Sequence, residues 1–139
     1  MPEPVIICLH QPALELAEKV ASLCDGEVHG LQSRVNTIPE TFEKTKEHLR
    51  DLFQKGHPLV GICSSGILIR SLADVLSDKH TEPPVLAVAE DGSCVIPLLG
   101  GHHGANDLAR KIASGLGVAA AVTTAGDLKF GIALDQPPE

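Results

Sequence analysis

Short apolar runs alternate with amphipathic stretches along this chain. Val5 to Leu9 and Pro58 to Cys63 are continuous apolar runs, which is typical of strands buried on both faces. Each run precedes a segment with apolar residues at helical spacing, from Pro12 to near Gly26 and from Ile67 to Leu76. The pattern therefore predicts two strand–helix units.

A third helix is predicted between these units. Thr37 and Glu40 have the spacing of a capping box, with Pro39 in the first turn, and apolar positions then mark one face as far as about Lys55. The segment before it, Glu27 to Leu31, carries weaker signals of a strand. The first half of the chain thus predicts three strands and helices in alternation.

The second half begins with two strands joined by a short turn. Val85 to Ala89 and Cys94 to Leu99 are separated only by a segment containing Asp-Gly-Ser, which is too short for a helical crossover, so we expect an antiparallel hairpin. A helix from Ala105 to Leu116 and a final buried strand from Val118 to Val122 complete the pattern.

This order of elements predicts an α/β fold, a three-layer α/β/α sandwich whose mostly parallel sheet includes one antiparallel hairpin. We interpret residues 1–127 as one α/β domain and residues 128–139 as a linker-like tail. A chain of 139 residues is long enough for a single core of this kind.

Charge and composition exclude several partners. The formal net charge is −7, the eleven Lys and Arg residues form no basic run, and Tyr and Trp are absent, so nucleic acid is not an expected partner. No apolar run approaches the ~20 residues of a membrane span, and the amino terminus has no signal-peptide pattern. Four widely spaced cysteines, without a Cys-x-x-Cys pair, predict buried reduced thiols and a cytoplasmic location.

The strongest candidate for chemistry lies between Leu99 and the last helix. Gly100, Gly101 and Gly104 surround His102 and His103, and the start of a helix presents backbone N–H groups that accept an anion. Two histidines there could act as acid, base or ligand. The glycines could equally serve only a tight turn and close packing.

Other polar segments follow predicted strands. His10 follows the first strand, Ser64-Ser65-Gly66 follows Cys63, and Thr123-Thr124 follows the last strand. Because ligands bind beyond the carboxyl ends of parallel strands, we expect these segments and the glycines to lie on one edge of the sheet. The serines could cap a helix, bind a ligand or do both, and Arg70 could reach the same ligand.

Four stretches of the sequence carry a family resemblance. They are Ser65-Gly-Ile-Leu-Ile-Arg70, Asp78-Lys79, Leu98-Leu-Gly-Gly-His-His-Gly-Ala-Asn106 and Val122-Thr-Thr-Ala125. Together they resemble the amino-terminal domain of the CbiG family, the cobalt-precorrin-5A hydrolases of cobalamin biosynthesis. The resemblance runs from about Pro58 to Asp127.

The resemblance implies hydrolysis of the ring A lactone of a cobalt corrinoid, with release of acetaldehyde. Cobalt would belong to the substrate, and no cofactor or metal site of the protein is implied. The implied partners are a CobE-like carboxyl-terminal region or a fused precorrin methyltransferase. The alternatives are a non-catalytic module that binds corrinoid or docks a partner, and a purely structural domain.

The two active roles assign the same residues differently. In the enzyme, His102 or His103 is the base and N–H groups of the glycine segment stabilise the oxyanion. In the binding module, the same segment and Arg70 hold substrate carboxylates, and Lys79 and Arg110 could add positive charge. The predicted substrate-binding residues are Ser64, Ser65, Gly66, Arg70, Gly100, Gly101, Gly104, Asn106, Thr123 and Thr124.

Overall fold

The computed structural model of the protein describes residues 2–77 and 81–124, and of His102 only the backbone. The strands are β1 (Val5–Cys8), β2 (Glu27–Leu31), β3 (Thr41–Phe42), β4 (Leu59–Ile62), β5 (Val85–Val88) and β6 (Val95–Leu99). The helices are α1 (Leu14–Cys24), α2 (Thr45–Gln54), α3 (Ser65–Leu72) and α4 (Ala105–Leu116). These six strands and four α-helices occur in an order that departs from the prediction at β3 and after α4.

The six strands form one sheet in the order β3-β2-β1-β4-β5-β6. All neighbours are parallel except β5 and β6, whose register pairs Val85 with Leu99 and Val88 with Val95. The predicted hairpin is therefore confirmed. The chain leaves β1 toward β2 on one side and returns to β4 on the other, so the point where strand order reverses lies between β1 and β4.

Two apolar clusters cover the two faces of the sheet and confirm the α/β/α sandwich. On one face, α1 and α4 pack against residues such as Ile6 and Val60. On the other face, α2 and α3 pack against Ile7 and Leu59. Alternate residues of β1 and β4 thus point to opposite faces, and both faces are buried, as their continuous apolar sequences predicted.

The predicted start of the helix before Lys55 is wrong. Residues 41–42 form β3, and α2 begins only at Thr45. Gly30 N–H donates to the Glu40 carbonyl oxygen and Gln32 N–H donates to that of Phe42, which holds this segment extended against β2. Thr37 caps no helix, because its hydroxyl bonds to the side chain of Gln11.

The predicted final strand is also wrong as a strand. Within Val118 to Val122 only one parallel bridge forms, between Ala120 and Val95, with Ala121 N–H donating to the Val95 carbonyl oxygen. Ala119 and Ala121 are exposed, so the segment was not fully buried as expected. Alanine methyl groups offer little apolar surface to extend the pairing.

The cysteines agree with the prediction. All four thiols are free, with Cys8, Cys24 and Cys63 buried and Cys94 half-buried. Burial raises the pKa of the three buried thiols, so they stay protonated near neutral pH.

Two further predictions concern membranes and the tail. None of the helices in residues 2–77 and 81–124 is long and apolar enough to cross a membrane, the longest being α4 with 12 residues. The predicted linker-like tail, residues 128–139, lies outside the described residues, as do Asp78 and Lys79.

Candidate functional site

The glycine turn, residues 100–104, joins β6 to α4 and depends on glycine for its backbone. Gly100 is buried with φ of +83°, and Gly104 has φ of +92°. A Cβ on Gly100 would lie 2.6 Å from the carbonyl oxygen of Pro83 and 2.6 Å from the Cα of Pro84. These are backbone atoms, so only glycine fits where the turn passes the segment before β5.

Some backbone N–H groups of the glycine turn already donate hydrogen bonds within the turn. His103 N–H and Ala105 N–H both donate to the Gly100 carbonyl oxygen, at 2.9 and 3.2 Å. The first bond of α4 runs from Leu108 N–H to the Gly104 carbonyl oxygen. The predicted oxyanion contact therefore cannot involve His103 N–H without breaking the turn, and Gly101, His102 and Gly104 are the remaining candidates.

A small cavity of about 90 Å³ opens beside the glycine turn. Asn106, buried at the start of α4, donates from Nδ2 to the Thr124 hydroxyl at 3.2 Å and thereby joins the two sides of the cavity. The cavity is lined by Pro97, Leu98, Leu99, Gly101, Ala105, Asn106, Thr123 and Thr124. Its volume is well below the roughly 300 Å³ of ordinary ligand pockets, so it fits one small substituent and not a macrocycle.

The structure brings most of the residues predicted for this site together. Gly101, Asn106, Thr123 and Thr124 line one cavity, and Gly100 and Gly104 bound the turn beside it. His103 is exposed in the same turn, where it can reach a substrate that approaches from solvent. His102 lies within the short 3-10 helix Gly101–His103.

A second group of predicted residues lies at the carboxyl ends of β1, β4 and β5, which we call the switch-point edge. Ser64 and Ser65 lie at the start of α3, and the Arg70 guanidinium folds back over Gly66, where an added Cβ would be 3.0 Å from its Nη1. The Ser64 side chain makes no capping hydrogen bond. The Ile67 N–H, which such a bond could use, donates to the backbone carbonyl oxygen of Ser64 instead. The cation and the helix start therefore face one surface.

The switch-point edge also contains a histidine–glutamate pair that was not predicted from the sequence. His10 Nε2 lies 2.6 Å from Glu90 Oε2, and the side chains are 34% and 50% exposed. His10 was noted among the polar segments, but Glu90 was missed. Glu90 follows β5 as His10 follows β1, so the rule that selected His10 would also have found its partner.

Cys63 lies just before Ser64, yet its environment argues against a nucleophilic role. Burial, with a smaller effect of the Glu90 charge, raises the pKa of the Cys63 thiol to about 12. The thiol is therefore protonated near neutral pH, and a protonated thiol is a poor nucleophile.

The prediction that all candidate segments share one edge is wrong. Since β6 is antiparallel to β5, Leu99 lies beside Val85, at the amino ends of the parallel strands. The glycine turn and Thr124 thus lie at the opposite end from His10 and Ser64, across strands of four residues, or roughly 13 Å. The structure has two candidate sites, each beyond the carboxyl ends of its own strands.

Comparison with known proteins supports one family. The family model described as Cobalamin synthesis G N-terminal matches residues 47–127. This span contains both the Ser64 to Arg70 segment and the glycine turn, whereas His10 lies before it.

Two curated proteins and one solved structure are similar to the chain. It is 39% identical over 88 residues to a cobalt-precorrin-5A hydrolase of Priestia megaterium, covering 63% of this chain and 24% of that protein. It is 41% identical over 87 residues to a cobalt-precorrin-5A hydrolase of Salmonella typhimurium, covering 62% and 25%. The chain thus spans about a quarter of the length of these relatives.

The structural match concerns the fold. A cobalamin biosynthesis protein G homolog from Sulfolobus solfataricus aligns with a TM-score of 0.63 at 22% identity, over 87% of this chain and 36% of that one. It supports the α/β architecture described above.

Proposed function

The chain belongs to the cobalamin synthesis G N-terminal family, and from this premise we propose that it acts in cobalamin biosynthesis as the amino-terminal part of a cobalt-precorrin-5A hydrolase. The reaction is the opening of the ring A lactone of a cobalt corrinoid by one water molecule, with loss of a two-carbon fragment as acetaldehyde. Cobalt belongs to the substrate, and the reaction requires no cofactor of the protein.

The observation that carries this proposal is the joining of the glycine turn to Thr124 through Asn106. The Asn106–Thr124 bond closes a cavity of about 90 Å³ that opens beside exposed His103. A cavity of this size accepts a lactone edge or one carboxylate side chain, while the rest of a corrinoid lies outside on the surface. In this arrangement His102 or His103 removes the proton from the attacking water. The oxyanion is stabilised by those backbone N–H groups of the glycine turn that do not donate to the Gly100 carbonyl oxygen.

The net charge of −7 makes local positive charge necessary for a substrate that carries several carboxylates. The amino terminus of α4 supplies partial positive charge at the glycine turn. Arg70 lies at the opposite end of the strands, so it serves a different part of the substrate or a different ligand. A CobE-like region or a fused methyltransferase is the partner that would cover the substrate's outer face.

The alternative is a module that binds the corrinoid while another polypeptide performs hydrolysis. The size of the cavity favours this reading, because about 90 Å³ holds only a small part of a macrocycle. In this case the glycine turn anchors one carboxylate and His103 donates a hydrogen bond to it.

One experiment separates the two functions. The 139-residue chain is mixed with the lactone intermediate, alone and together with the carboxyl-terminal part of a related hydrolase. Acetaldehyde is measured, and binding is followed through the visible absorption of the corrinoid. Acetaldehyde from the chain alone supports catalysis, and binding without acetaldehyde until the second part is added supports the module. Absence of both binding and turnover in the reconstituted mixture contradicts the proposal.

The histidines give a sharper version of this test. We expect His102→Ala or His103→Ala to reduce binding or turnover at least ten-fold, about 1.4 kcal/mol, with an unchanged melting temperature. His102 should be the more sensitive, since it stands where the family motif has its histidine. Lys111→Ala, an exposed substitution on α4, is the control and should change neither quantity. Normal turnover by both histidine variants would remove them from the mechanism.

A further inference from the structure

A histidine and two glutamates meet on the face of the sheet that packs against α2, on β2 and just before β3. Glu27 and His29 are alternate residues of β2, so their side chains point to the same face. Glu40 precedes β3, and the register that pairs Gly30 with Thr41 places it beside His29. One ligand atom from each of the three lies within 4.8 Å of the other two.

The backbone fixes this arrangement. Gly30 N–H donates to the Glu40 carbonyl oxygen at 3.0 Å, which ties the segment before β3 to β2. A Cβ on Gly30 would lie 2.9 Å from atoms of Val35, so the loop between the two strands packs closely over this position. The loop thus returns Glu40 to a defined place.

The ring of His29 is held by a second histidine. His29 Nδ1 lies 2.8 Å from Nε2 of His48, and the His48 ring stacks on Phe42 with centroids 4.5 Å apart. At this distance His48 Nε2 can accept a hydrogen bond from His29 Nδ1. With Nδ1 of His29 as the donor, its Nε2 keeps a lone pair.

His29 Nε2, the nitrogen with the lone pair, lies near the Glu27 carboxylate. His29 Nε2 lies 3.8 Å from Glu27 Oε2, which is too long for a hydrogen bond but suitable for two ligands of one ion. A ring whose far nitrogen is fixed by a hydrogen bond is the usual arrangement of a metal-bound histidine. His48 would be the group that orients His29.

The charges also favour a cation at this position. Two carboxylates close together repel each other unless a positive charge lies between them. Across residues 2–77 and 81–124, neither Glu27 nor Glu40 pairs with a lysine or an arginine. Glu40 is exposed and Glu27 half-buried, so an ion can enter from solvent.

We propose that Glu27, His29 and Glu40 bind one divalent transition-metal ion of the Zn²⁺ class. One imidazole nitrogen and two carboxylate oxygens are the protein ligands, and water completes the coordination. The site lies four strands from β6, roughly 19 Å from the glycine turn, and therefore takes no part in the chemistry proposed there. The ion would fasten the loop before β3 to the sheet.

Zn²⁺ titration of the chelator-treated 139-residue chain, followed by calorimetry, tests the proposal. We expect one Zn²⁺ per chain with Kd of ~10 µM or tighter. Glu27→Gln and Glu40→Gln should each weaken binding at least ten-fold, and His29→Gln should weaken it further. His48→Asn, which removes the ring that contacts His29 Nδ1 and stacks on Phe42, should weaken binding by about ten-fold or more. Co²⁺ absorption in the visible range gives an independent readout of the ligand set.

Two controls make the result decisive. Glu43→Gln removes an exposed carboxylate three residues from Glu40, and His103→Ala removes a histidine at the other site. Both should bind Zn²⁺ within two-fold of wild type. No binding by the wild type at 100 µM Zn²⁺ would overturn the proposal, as would equal loss in Glu43→Gln, or a loss confined to His103→Ala. If His29→Gln fails to fold, exposed Glu40→Gln decides alone, and unchanged binding by it would overturn the proposal.

Discussion

The glycine turn and the switch-point edge lie at opposite ends of the same strands and are constructed differently. The turn is defined by backbone, with Gly100 at positive φ against Pro83 and two N–H groups on its carbonyl oxygen. The switch-point edge is defined by side chains, the His10–Glu90 pair and Arg70 over Gly66. Adding one carbon atom to Gly100 should therefore disrupt the glycine turn and destabilise the fold. Removing charged groups from the switch-point edge should change that surface with little effect on folding.

The largest effect is expected from Gly100→Ala. The new methyl group would meet backbone atoms at 2.6 Å, and alanine disfavours φ of +83°. We expect a loss of about 3 kcal/mol in the free energy of unfolding, measured with urea. Gly101→Ala is the matched control, because an added Cβ there meets nothing within 4 Å, and its loss should stay below about 1 kcal/mol. Equal losses in both variants would mean that the close approach to Pro83 is not what requires glycine.

The next effect concerns alkaline pH at the switch-point edge. Burial raises the pKa of Cys63 from 9.0 to about 12, so between these values the unfolded chain has lost a proton that the folded chain keeps. Stability attributable to this group is present below pH 9 and falls as the pH rises. From pH 9 to 10.5, under reducing conditions, wild type should lose roughly 1.5 kcal/mol more than Cys63→Ala. Identical pH slopes would show that the thiol is not shielded.

A smaller effect is expected from the bond between Asn106 and Thr124. Asn106→Ala removes a buried amide and should cost about 1 kcal/mol or more, while Thr124→Val removes only its exposed partner. A double-mutant cycle should give a coupling energy of about 0.5 to 1 kcal/mol. A coupling energy of zero would show that this bond does not join the glycine turn to Thr124, and the observation behind the proposed function would fail.

The sequence predicted the core of the fold because buried parallel strands have a distinctive pattern. Val5 to Leu9 and Pro58 to Cys63 contain the observed strands β1 and β4. The start of α2 was missed because β3 is two residues long, and its pairing with β2 depends on a contact that no local pattern reveals. Tertiary pairing overrode the capping-box signal at Thr37.

The site was predicted in its parts and misplaced as a whole. The glycine turn, Asn106 and Thr124 do meet, because β6 and the segment at Ala120 run in the same direction with α4 between them. The error was to assign the glycine turn to the edge of His10, although the predicted hairpin already reversed β6. His29, Glu27 and Glu40 were missed because their proximity depends on the same pairing of β3 that the sequence concealed.

Glu90→Gln has the smallest expected effect on stability and best distinguishes the glycine turn from the switch-point edge as the place of the reaction. The His10–Glu90 pair is half-exposed, so Glu90→Gln should alter the free energy of unfolding by no more than about 0.5 kcal/mol. If the substrate reacts at the glycine turn, roughly 13 Å away across the strands, Glu90→Gln should also leave turnover within two-fold of wild type. His10→Asn, which keeps a polar group of similar reach, should behave in the same way. A ten-fold loss of turnover in either variant, with unchanged affinity for the corrinoid, would instead indicate that the reaction takes place at the switch-point edge. There the histidine–carboxylate pair, Ser65 and Arg70 would be the groups that contact the lactone.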